Sequence, residues 1–133
     1  MAESKLPREV APVTYSDPRR IVVVGPCAAG KSTLVSALQS LGYDARVSGQ
    51  EHSEISTLWQ HADPDVLIVL DVDIAAVRER RGGPWPEWLH DLQVKRLAAA
   101  SEAADLAIDT TTHSAQTVIE HVVAYLKGRR ASA

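Results

Sequence analysis

The feature that most constrains this chain is the stretch from Ile21 to Leu34, which reads IVVVGPCAAGKSTL. It begins with a run of β-branched residues, which favour a strand, and it ends in a segment whose apolar residues recur at helical spacing. Between them, Gly25 to Ser32 match the full pattern G-x-x-x-x-G-K-[ST], in the strand–loop–helix context that this pattern requires. The stretch therefore predicts a phosphate-binding loop between a buried strand and a helix.

Each residue type in the loop has a physical role in binding a polyphosphate. The glycines allow a tight curl in which backbone N–H groups converge on an anion, and the N-terminus of the following helix adds its positive dipole. Lys31 supplies a mobile charge for the β- and γ-phosphates, and the Ser32 hydroxyl is placed to hold Mg²⁺. The expected phosphate-binding residues are Gly25, Cys27, Ala28, Ala29, Gly30, Lys31, Ser32 and Thr33. The alternative is a chance glycine loop without a ligand.

Composition and charge exclude several functional classes. The chain has 133 residues, of which 45% are hydrophobic and 23% charged, as in an ordinary soluble globular domain. A formal charge of -3 gives no electrostatic reason to expect a nucleic acid or an anionic membrane as partner. The single cysteine excludes an internal disulfide, and no apolar run is long enough to span a membrane. We expect a cytoplasmic protein without a signal peptide, and the oligomeric state stays open.

The apolar pattern predicts an α/β domain. Continuously apolar runs are typical of parallel strands that helices cover on both faces. Strands are expected at Ile21–Val24, Ala45–Ser48, Asp65–Asp71 and Asp105–Asp109, and helices at Lys31–Leu41, Ile74–Arg81, Pro86 onward and Ala115–Leu126. The result is three layers around a short, mostly parallel sheet of four or five strands. Residues 21–127 form the predicted domain, between flexible tails at 1–20 and 128–133.

A second polar cluster, Gln50-Glu51-His52-Ser53, follows the predicted strand Ala45–Ser48. Polar residues just beyond the carboxyl end of a strand in an open α/β sheet lie at the mouth of the ligand crevice. Glu51 is therefore a candidate base, or an acid that holds a water on Mg²⁺. The alternative is that the cluster merely caps the next helix, with Glu51 favouring its dipole, and for His52 we prefer this structural role.

Arginines gather before a glycine pair in the segment VRERRGG. Arg78, Arg80 and Arg81 end a predicted helix, where the dipole favours cations and Gly82-Gly83 breaks the helix. The same arrangement is typical of a lid that closes over phosphates, because guanidinium groups match phosphate oxygens. Both interpretations are open on the sequence alone.

Other polar residues have less specific signals. One of Asp71 and Asp73 is a candidate metal-associated carboxylate, but a helix cap is the preferred role for carboxylates at such junctions. Lys95 and Arg96 are placed to approach the phosphates from the far side, and the tryptophans of the segment from Trp85 to Leu97 are expected to pack as an apolar stripe. The five histidines show no metal-ligand spacing, and the lone Cys27 offers no zinc site.

Together with the loop, the segments PDVLIVLDVDIAAVRERR and ADLAIDTTTHSAQTVIEHVVAYL resemble the compact P-loop kinases of the nucleoside and nucleotide kinase group, such as shikimate, gluconate and adenylylsulfate kinases. The resemblance covers most of residues 21–127 and implies a three-layer P-loop NTPase fold. It also implies that Arg78, Arg80 and Arg81 are phosphate contacts on the lid side, and that Asp109 and Thr110 border the base.

The segment between the first helix and DVLIVLD is shorter than in those kinases. An acceptor-binding module is therefore expected to be missing or reduced. If one strand is lost, VSGQE lies directly beside the phosphate-loop strand, and Glu51 takes the place of the magnesium-associated acid.

These features predict a phosphotransferase that uses ATP, or GTP, with Mg²⁺ and acts on an unidentified small-molecule acceptor. Lys31, Glu51 and Arg81 are the expected catalytic residues, and Ser32 with Glu51 is expected to hold the metal. The alternative is a nucleotide-binding regulatory module with slow hydrolysis and no acceptor. A third possibility is a degenerate domain whose loop binds another anion.

Overall fold

A computed structural model of the protein describes residues 18–132, so most of the predicted N-terminal tail lies outside the described residues. The strands are β1 (Ile21–Val24), β2 (Ala45–Val47), β3 (Val66–Asp71) and β4 (Leu106–Asp109). The helices are α1 (Lys31–Ser40), α2 (Ile74–Arg81), α3 (Glu87–Arg96), α4 (Ala98–Ala103) and α5 (Ala115–Ser132). Two short 3-10 helices, Gln50–His52 and Leu58–Ala62, lie between β2 and β3.

The four strands form one sheet in the order β2-β1-β3-β4, and every neighbouring pair is parallel. The predicted α/β class and the mostly parallel sheet are therefore confirmed. β2 lies directly beside β1, with Val22 opposite Arg46 on one side and opposite Leu67 of β3 on the other. This is the position that the sequence predicts for VSGQE if the chain lacks one of the strands of the kinases that it resembles.

The two faces of the sheet carry separate apolar cores, which explains why the strand sequences are continuously apolar. On one face, Ile21, Val23 and Ile68 pack in a cluster with residues of α1, α2 and α5. On the other face, Val22, Val24 and Leu67 pack with Leu97 and with Ala100 of α4. Successive side chains of a strand point to opposite faces of the sheet. When helices cover both faces, the odd-numbered and the even-numbered residues of the strand must therefore both be apolar. The result is a three-layer domain.

Some local expectations differ from the structure. The expectation that Trp88 packs in an apolar stripe is wrong, because its side chain is 68% exposed, whereas Trp85 is half-buried against the core. The buried positions of α3 are instead His90 and Gln93. Pro86 is the N-cap of α3 rather than its first residue. α5 continues to Ser132, into the segment for which the sequence predicts a tail.

Among the described residues, no helix is long and apolar enough to cross a membrane.

Candidate functional site

The loop from Gly25 to Gly30 connects β1 to α1 and packs tightly against β3. A Cβ atom on Gly25 would lie 2.5 Å from the carbonyl oxygen of Leu70, closer than side-chain atoms approach, so this position requires glycine. Gly30, the N-cap of α1, has a φ of 100°, and Ala28 has a φ of 65°. Both values lie in the left-handed region, which glycine adopts at no steric cost and in which Ala28 is strained. The loop thus has the tight curl that the sequence pattern predicts.

The N-terminus of α1 has the properties of an anion site. Gly30 contributes no side-chain hydrogen bond to the first amides of the helix, and the first turn contains no acidic residue. The first amides of a helix lack intrahelical acceptors and carry the positive end of its dipole. Ser32 and Thr33 are exposed on this turn. Their hydroxyl groups and the neighbouring amides are therefore accessible to an anionic ligand.

Lys31 is bound on three sides. Its Nζ atom donates to the carbonyl oxygens of Gly25, at 2.8 Å, and Pro26, at 2.9 Å, and lies 3.0 Å from Oε2 of Glu51. The Lys31 side chain is 10% exposed and that of Glu51 only 4%. The two charges form a buried ion pair at the base of the loop, where electrostatic interactions are stronger than in water.

The position of Glu51 follows from the pairing of β2 with β1. The amide of Ser48 donates to the carbonyl of Val23 at 3.1 Å, which carries the parallel pairing to the end of β1. The chain then turns through the 3-10 helix Gln50–His52, which places Glu51 against Lys31. The structure gives Glu51 a lysine partner rather than a capping role. The capping alternative is borne out for its neighbours, because Ser53 Oγ accepts from the amide of Ile55 at 3.0 Å and Gln50 Oε1 accepts from the amide of Trp59 in the next 3-10 helix. The other oxygen of Glu51, Oε1, is buried without a hydrogen-bond partner among the described residues.

Gln50 fixes this 3-10 helix from the interior. Its side-chain amide donates to the carbonyl oxygens of Ile55, at 2.7 Å, and Arg96, at 3.2 Å, and its Oε1 atom accepts from the amide of Trp59 at 2.9 Å. Because Gln50 is fully buried, these bonds replace the water that its amide would otherwise bind. The carboxylate of Glu51 is thus held on a well-supported backbone.

Cys27 has a buried glutamine as partner. Its amide donates to Oε1 of Gln93 at 3.0 Å, and Nε2 of Gln93 donates to its sulfur at 3.2 Å. His52 lies nearby, with Nε2 3.4 Å from Oε2 of Glu51. One ligand atom each from Cys27, Glu51 and His52 lie within 4.8 Å of one another. The sequence spacing gives Cys27 no zinc-ligand partner, whereas the fold brings a carboxylate and an imidazole close to its sulfur.

Of the three arginines expected to contact phosphates, the structure places Arg80 against the loop. The guanidinium of Arg80 donates to the carbonyl of Ala28 at 2.9 Å and to Oγ1 of Thr110 at 3.1 Å, and it also bonds the Thr110 carbonyl. Arg78 instead donates to the carbonyl of Trp85 at 3.0 Å, and Arg81 lies over the Trp85 ring, 4.3 Å from its centroid.

Thr110 connects the loop to the end of the sheet. Its hydroxyl lies 3.0 Å from the carbonyl oxygen of Ala29 and 3.1 Å from that of Asp71, and it can donate to one of them at a time. Beside it is a cavity of about 220 Å³, lined by the first turn of α1 and by Arg80, Thr110 and His113. Asp109, the other residue expected near the base, does not line this cavity.

Three aspartates lie along the carboxyl edge of β3 and β4. Asp73 caps α2, because its Oδ1 atom accepts from the amide of Ala76 at 2.8 Å, as the capping alternative predicts. Asp71 faces Asp109 across the paired strands. Burial raises the pKa of Asp71, and the charge of Asp109 raises it further. Hydrogen bonds from the side chain and the backbone of Thr111 lower the pKa of Asp109.

Another cavity, of about 470 Å³, lies beside the C-terminal half of α3. It is lined by Glu54, Ser56, Leu92, Lys95 and Arg96. Arg96 also donates to the carbonyl oxygen of Glu51 at 3.4 Å. Lys95 and Arg96, which the sequence places on the far side of the phosphates, thus line a cavity adjoining the segment that carries Glu51.

Comparison of the sequence with known protein families and with curated proteins finds no match. The features that bear on function are therefore those of the site itself. They are an uncapped helix N-terminus, a lysine–carboxylate pair, an arginine against the loop, a cavity beside the first turn of α1 and a cavity that Arg96 lines.

Proposed function

We propose that this chain binds a nucleoside triphosphate, ATP or GTP, with Mg²⁺ at the loop Gly25–Thr33 and transfers the terminal phosphoryl group to a small acceptor. The observation that carries the proposal is the buried contact between Lys31 and Glu51. It joins a cation and a carboxylate, from the segments that follow two neighbouring parallel strands, at the N-terminus of a helix whose first turn has no acidic residue. A polyphosphate–Mg²⁺ complex requires this combination of charges.

The residues of the loop would bind and orient the phosphates. The first amides of α1 donate to phosphate oxygens, and the Lys31 ammonium exchanges the carbonyls of Gly25 and Pro26 for the β- and γ-phosphates. Catalysis then depends on positioning and charge neutralisation, since phosphoryl transfer needs little covalent chemistry from the protein. Arg80, which already contacts the loop at Ala28, is the arginine best placed to supply further positive charge.

The donor atoms present fit a magnesium ion. The Ser32 hydroxyl and the Glu51 carboxylate are hard oxygen ligands of the kind that Mg²⁺ prefers. Oε1 of Glu51 is buried without a partner, so this carboxylate has unused capacity for a metal-bound water or for the acceptor hydroxyl. When bound, Mg²⁺ would neutralise the charge on the phosphate oxygens.

The two cavities suggest where the rest of the ligands bind. The one beside Thr110 and His113 adjoins the first turn of α1 and suits the nucleoside. The one lined by Lys95 and Arg96 adjoins the backbone of Glu51 and carries two cationic side chains, which favours an acceptor with negative charge. Glu51, whose carboxylate contacts Lys31 and whose carbonyl contacts Arg96, would accept the proton of the acceptor hydroxyl.

The first experiment is calorimetry of Mg-ATP and Mg-GTP binding to the full chain. Lys31→Ala is expected to weaken binding by about tenfold or more, because a charged hydrogen bond contributes roughly 1.5–3 kcal/mol. Lys127→Ala, which changes an exposed lysine on α5, is the matched control and should bind like the wild type. An unchanged heat of ATP binding in Lys31→Ala would contradict the site.

The second experiment is incubation of the protein with ATP and a metabolite pool, followed by mass spectrometry for any species that gains a phosphoryl group. A phosphorylated product that disappears with Glu51→Gln supports the phosphotransferase. Binding of nucleotide without any product supports the alternative, a regulatory nucleotide-binding module. The short connection between α1 and β3, which contains only β2 and two 3-10 helices, is the observation that favours this alternative.

A further inference from the structure

We infer that Cys27, Glu51 and His52 form a binding site for a single Zn²⁺ ion, or a similar soft divalent cation, at the rim of the loop. A thiol sulfur, a carboxylate oxygen and an imidazole nitrogen lie within 4.8 Å of one another, and they come from two separate segments. Sulfur, nitrogen and oxygen ligands in this combination are typical of zinc and not of magnesium, which avoids thiolate. The site shares the Glu51 carboxylate with the proposed nucleotide chemistry, so zinc would compete with that chemistry, but the ligands Cys27 and His52 indicate the site independently of it.

The state of Glu51 is a second, independent observation that points to a ligand. Its side chain is almost fully buried, yet Oε1 has no hydrogen-bond partner among the described residues. Oε2 is the atom that faces both Lys31 and His52. A buried carboxylate oxygen without a partner is costly, and a bound cation would satisfy it.

The surroundings of the other two ligands also suit a metal. Gln93, only 2% exposed, donates to the Cys27 sulfur and accepts from the Cys27 amide, so it orients the ligand as outer partners of metal sites do. The His52 side chain is 65% exposed, so its imidazole can turn toward the cation and leave a fourth position open to water. Coordination releases one proton, because the thiol of Cys27 binds the metal as thiolate.

Lys31 opposes the cation, and this gives the site a distinctive property. Its ammonium lies 3.0 Å from Oε2 of Glu51, so a divalent ion on the same carboxylate is repelled by a fixed neighbouring charge. Removal of the Lys31 charge should therefore strengthen metal binding, whereas the same change weakens binding of a triphosphate. The two proposals predict opposite effects of Lys31→Ala, so the failure of one is distinguishable from the failure of the other.

The test is a titration of the nucleotide-free full chain with Co²⁺, followed by displacement with Zn²⁺ against a chromophoric chelator. The chain has one cysteine, so a thiolate-to-cobalt charge-transfer band reports Cys27 alone. We expect one equivalent of metal with this band, loss of the band in Cys27→Ser, and zinc affinity lowered by about tenfold or more in His52→Asn. His61→Asn, at an exposed histidine of the 3-10 helix Leu58–Ala62, is the matched control and should bind like the wild type.

A measurement on the unmodified protein keeps the proposal testable if a variant does not fold. Zn²⁺ at the site should slow alkylation of Cys27 by iodoacetamide by about tenfold or more, since the bound thiolate is no longer free to attack. Absence of the cobalt band in the wild type, metal uptake that persists in Cys27→Ser, or an alkylation rate unaffected by Zn²⁺ would each overturn the proposal.

Discussion

The ammonium of Lys31 lies 3.0 Å from Oε2 of Glu51, and the Glu51 side chain is buried while that of Lys31 is largely so. The contact joins the first residue of α1 to the turn that follows β2, so it exists only because β2 pairs directly with β1. A buried ion pair is costly to break from one side, since the remaining charge is left without its partner. The pair is therefore a constraint on the loop as well as a candidate part of its chemistry.

A double-mutant cycle on this pair should show strong coupling. We expect Lys31→Met to lower the free energy of unfolding by about 3 kcal/mol, because the Glu51 carboxylate stays buried without its cation. Adding Glu51→Gln to Lys31→Met should recover part of this loss, with a coupling energy of about 1 kcal/mol or more. Urea unfolding of the wild type, Lys31→Met, Glu51→Gln and the double variant measures this coupling energy.

The exposed pair of Arg19 and Asp63, 3.2 Å apart, provides the control cycle. Exposed ion pairs couple by roughly 0.2–1 kcal/mol. We expect urea unfolding to give the Arg19–Asp63 pair a coupling energy at the lower end of this range. Equal coupling energies in the two cycles would show that burial of the Lys31–Glu51 contact has no energetic effect.

Arg80 and Arg81 should differ in their effect on the loop. Arg80→Gln removes hydrogen bonds to Ala28 and Thr110, so we expect faster amide exchange in the loop and about tenfold weaker Mg-nucleotide binding. Arg81→Gln loses only the stacking on Trp85 and should leave both quantities nearly unchanged. Hydrogen exchange and calorimetry are the two measurements. A larger effect of Arg81→Gln would instead favour the catalytic role that the sequence assigns to Arg81.

Gly25 should tolerate no side chain. In Gly25→Ala the new Cβ atom would meet the carbonyl oxygen of Leu70 at 2.5 Å, and strand β3 cannot move away without disturbing its own pairs. We expect a loss of about 1–3 kcal/mol in the free energy of unfolding, the usual range for overpacking. Gly49→Ala is the matched control, because no heavy atom lies within 4 Å of its Cβ position. Similar thermal stability of the two variants would refute the close packing described here.

Asp71 should make stability depend on pH. Because burial raises its pKa above the ordinary value of 3.8, the folded protein holds this proton more tightly than the unfolded chain does. The resulting stabilisation is present at low pH and is lost as pH rises through the folded-state pKa. At pH 7 Asp71 and Asp109 are then like charges in paired strands, a contact that costs about 0.2–1 kcal/mol.

Asp71→Asn is therefore expected to be more stable than the wild type at pH 7, and the difference should shrink as pH falls toward about 4. Urea unfolding across this range measures it, with Asp91→Asn, an exposed change on α3, as control. A stability gain that is constant with pH would mean that neither the partial burial of the ionised Asp71 carboxylate nor its repulsion by Asp109 is the cause.

The segments from β1 to α1 could be predicted from the sequence because several local signals agree there. The β-branched run, the glycines of the loop and the apolar spacing of α1 each indicate the same structure, and the observed bounds follow them closely. The place of β2 beside β1 could also be anticipated, since the connection to β3 is too short for another strand. Local and topological constraints act together in this part of the chain.

The partners within the site could not be predicted in the same way. Arg80 and Arg81 are neighbours in sequence but point about 100° apart around a helix, and the buried faces of Ala76 and Val77 decide which one meets the loop. Gln93 gives no sequence signal, because a glutamine in an amphipathic helix is normally assigned to the exposed face. These relationships depend on how separate helices and strands pack together, and the hydrophobic periodicity of the sequence does not indicate that packing.

Two hydrogen bonds between Gln93 and Cys27 connect α3 directly to the loop. Any rearrangement that turns the Cys27 amide toward another acceptor has to release the Gln93 carboxamide, which is buried and would then need a new donor and a new acceptor. The conformation of the loop is consequently coupled to the side chain of Gln93, and substitutions along α3 are expected to alter the loop.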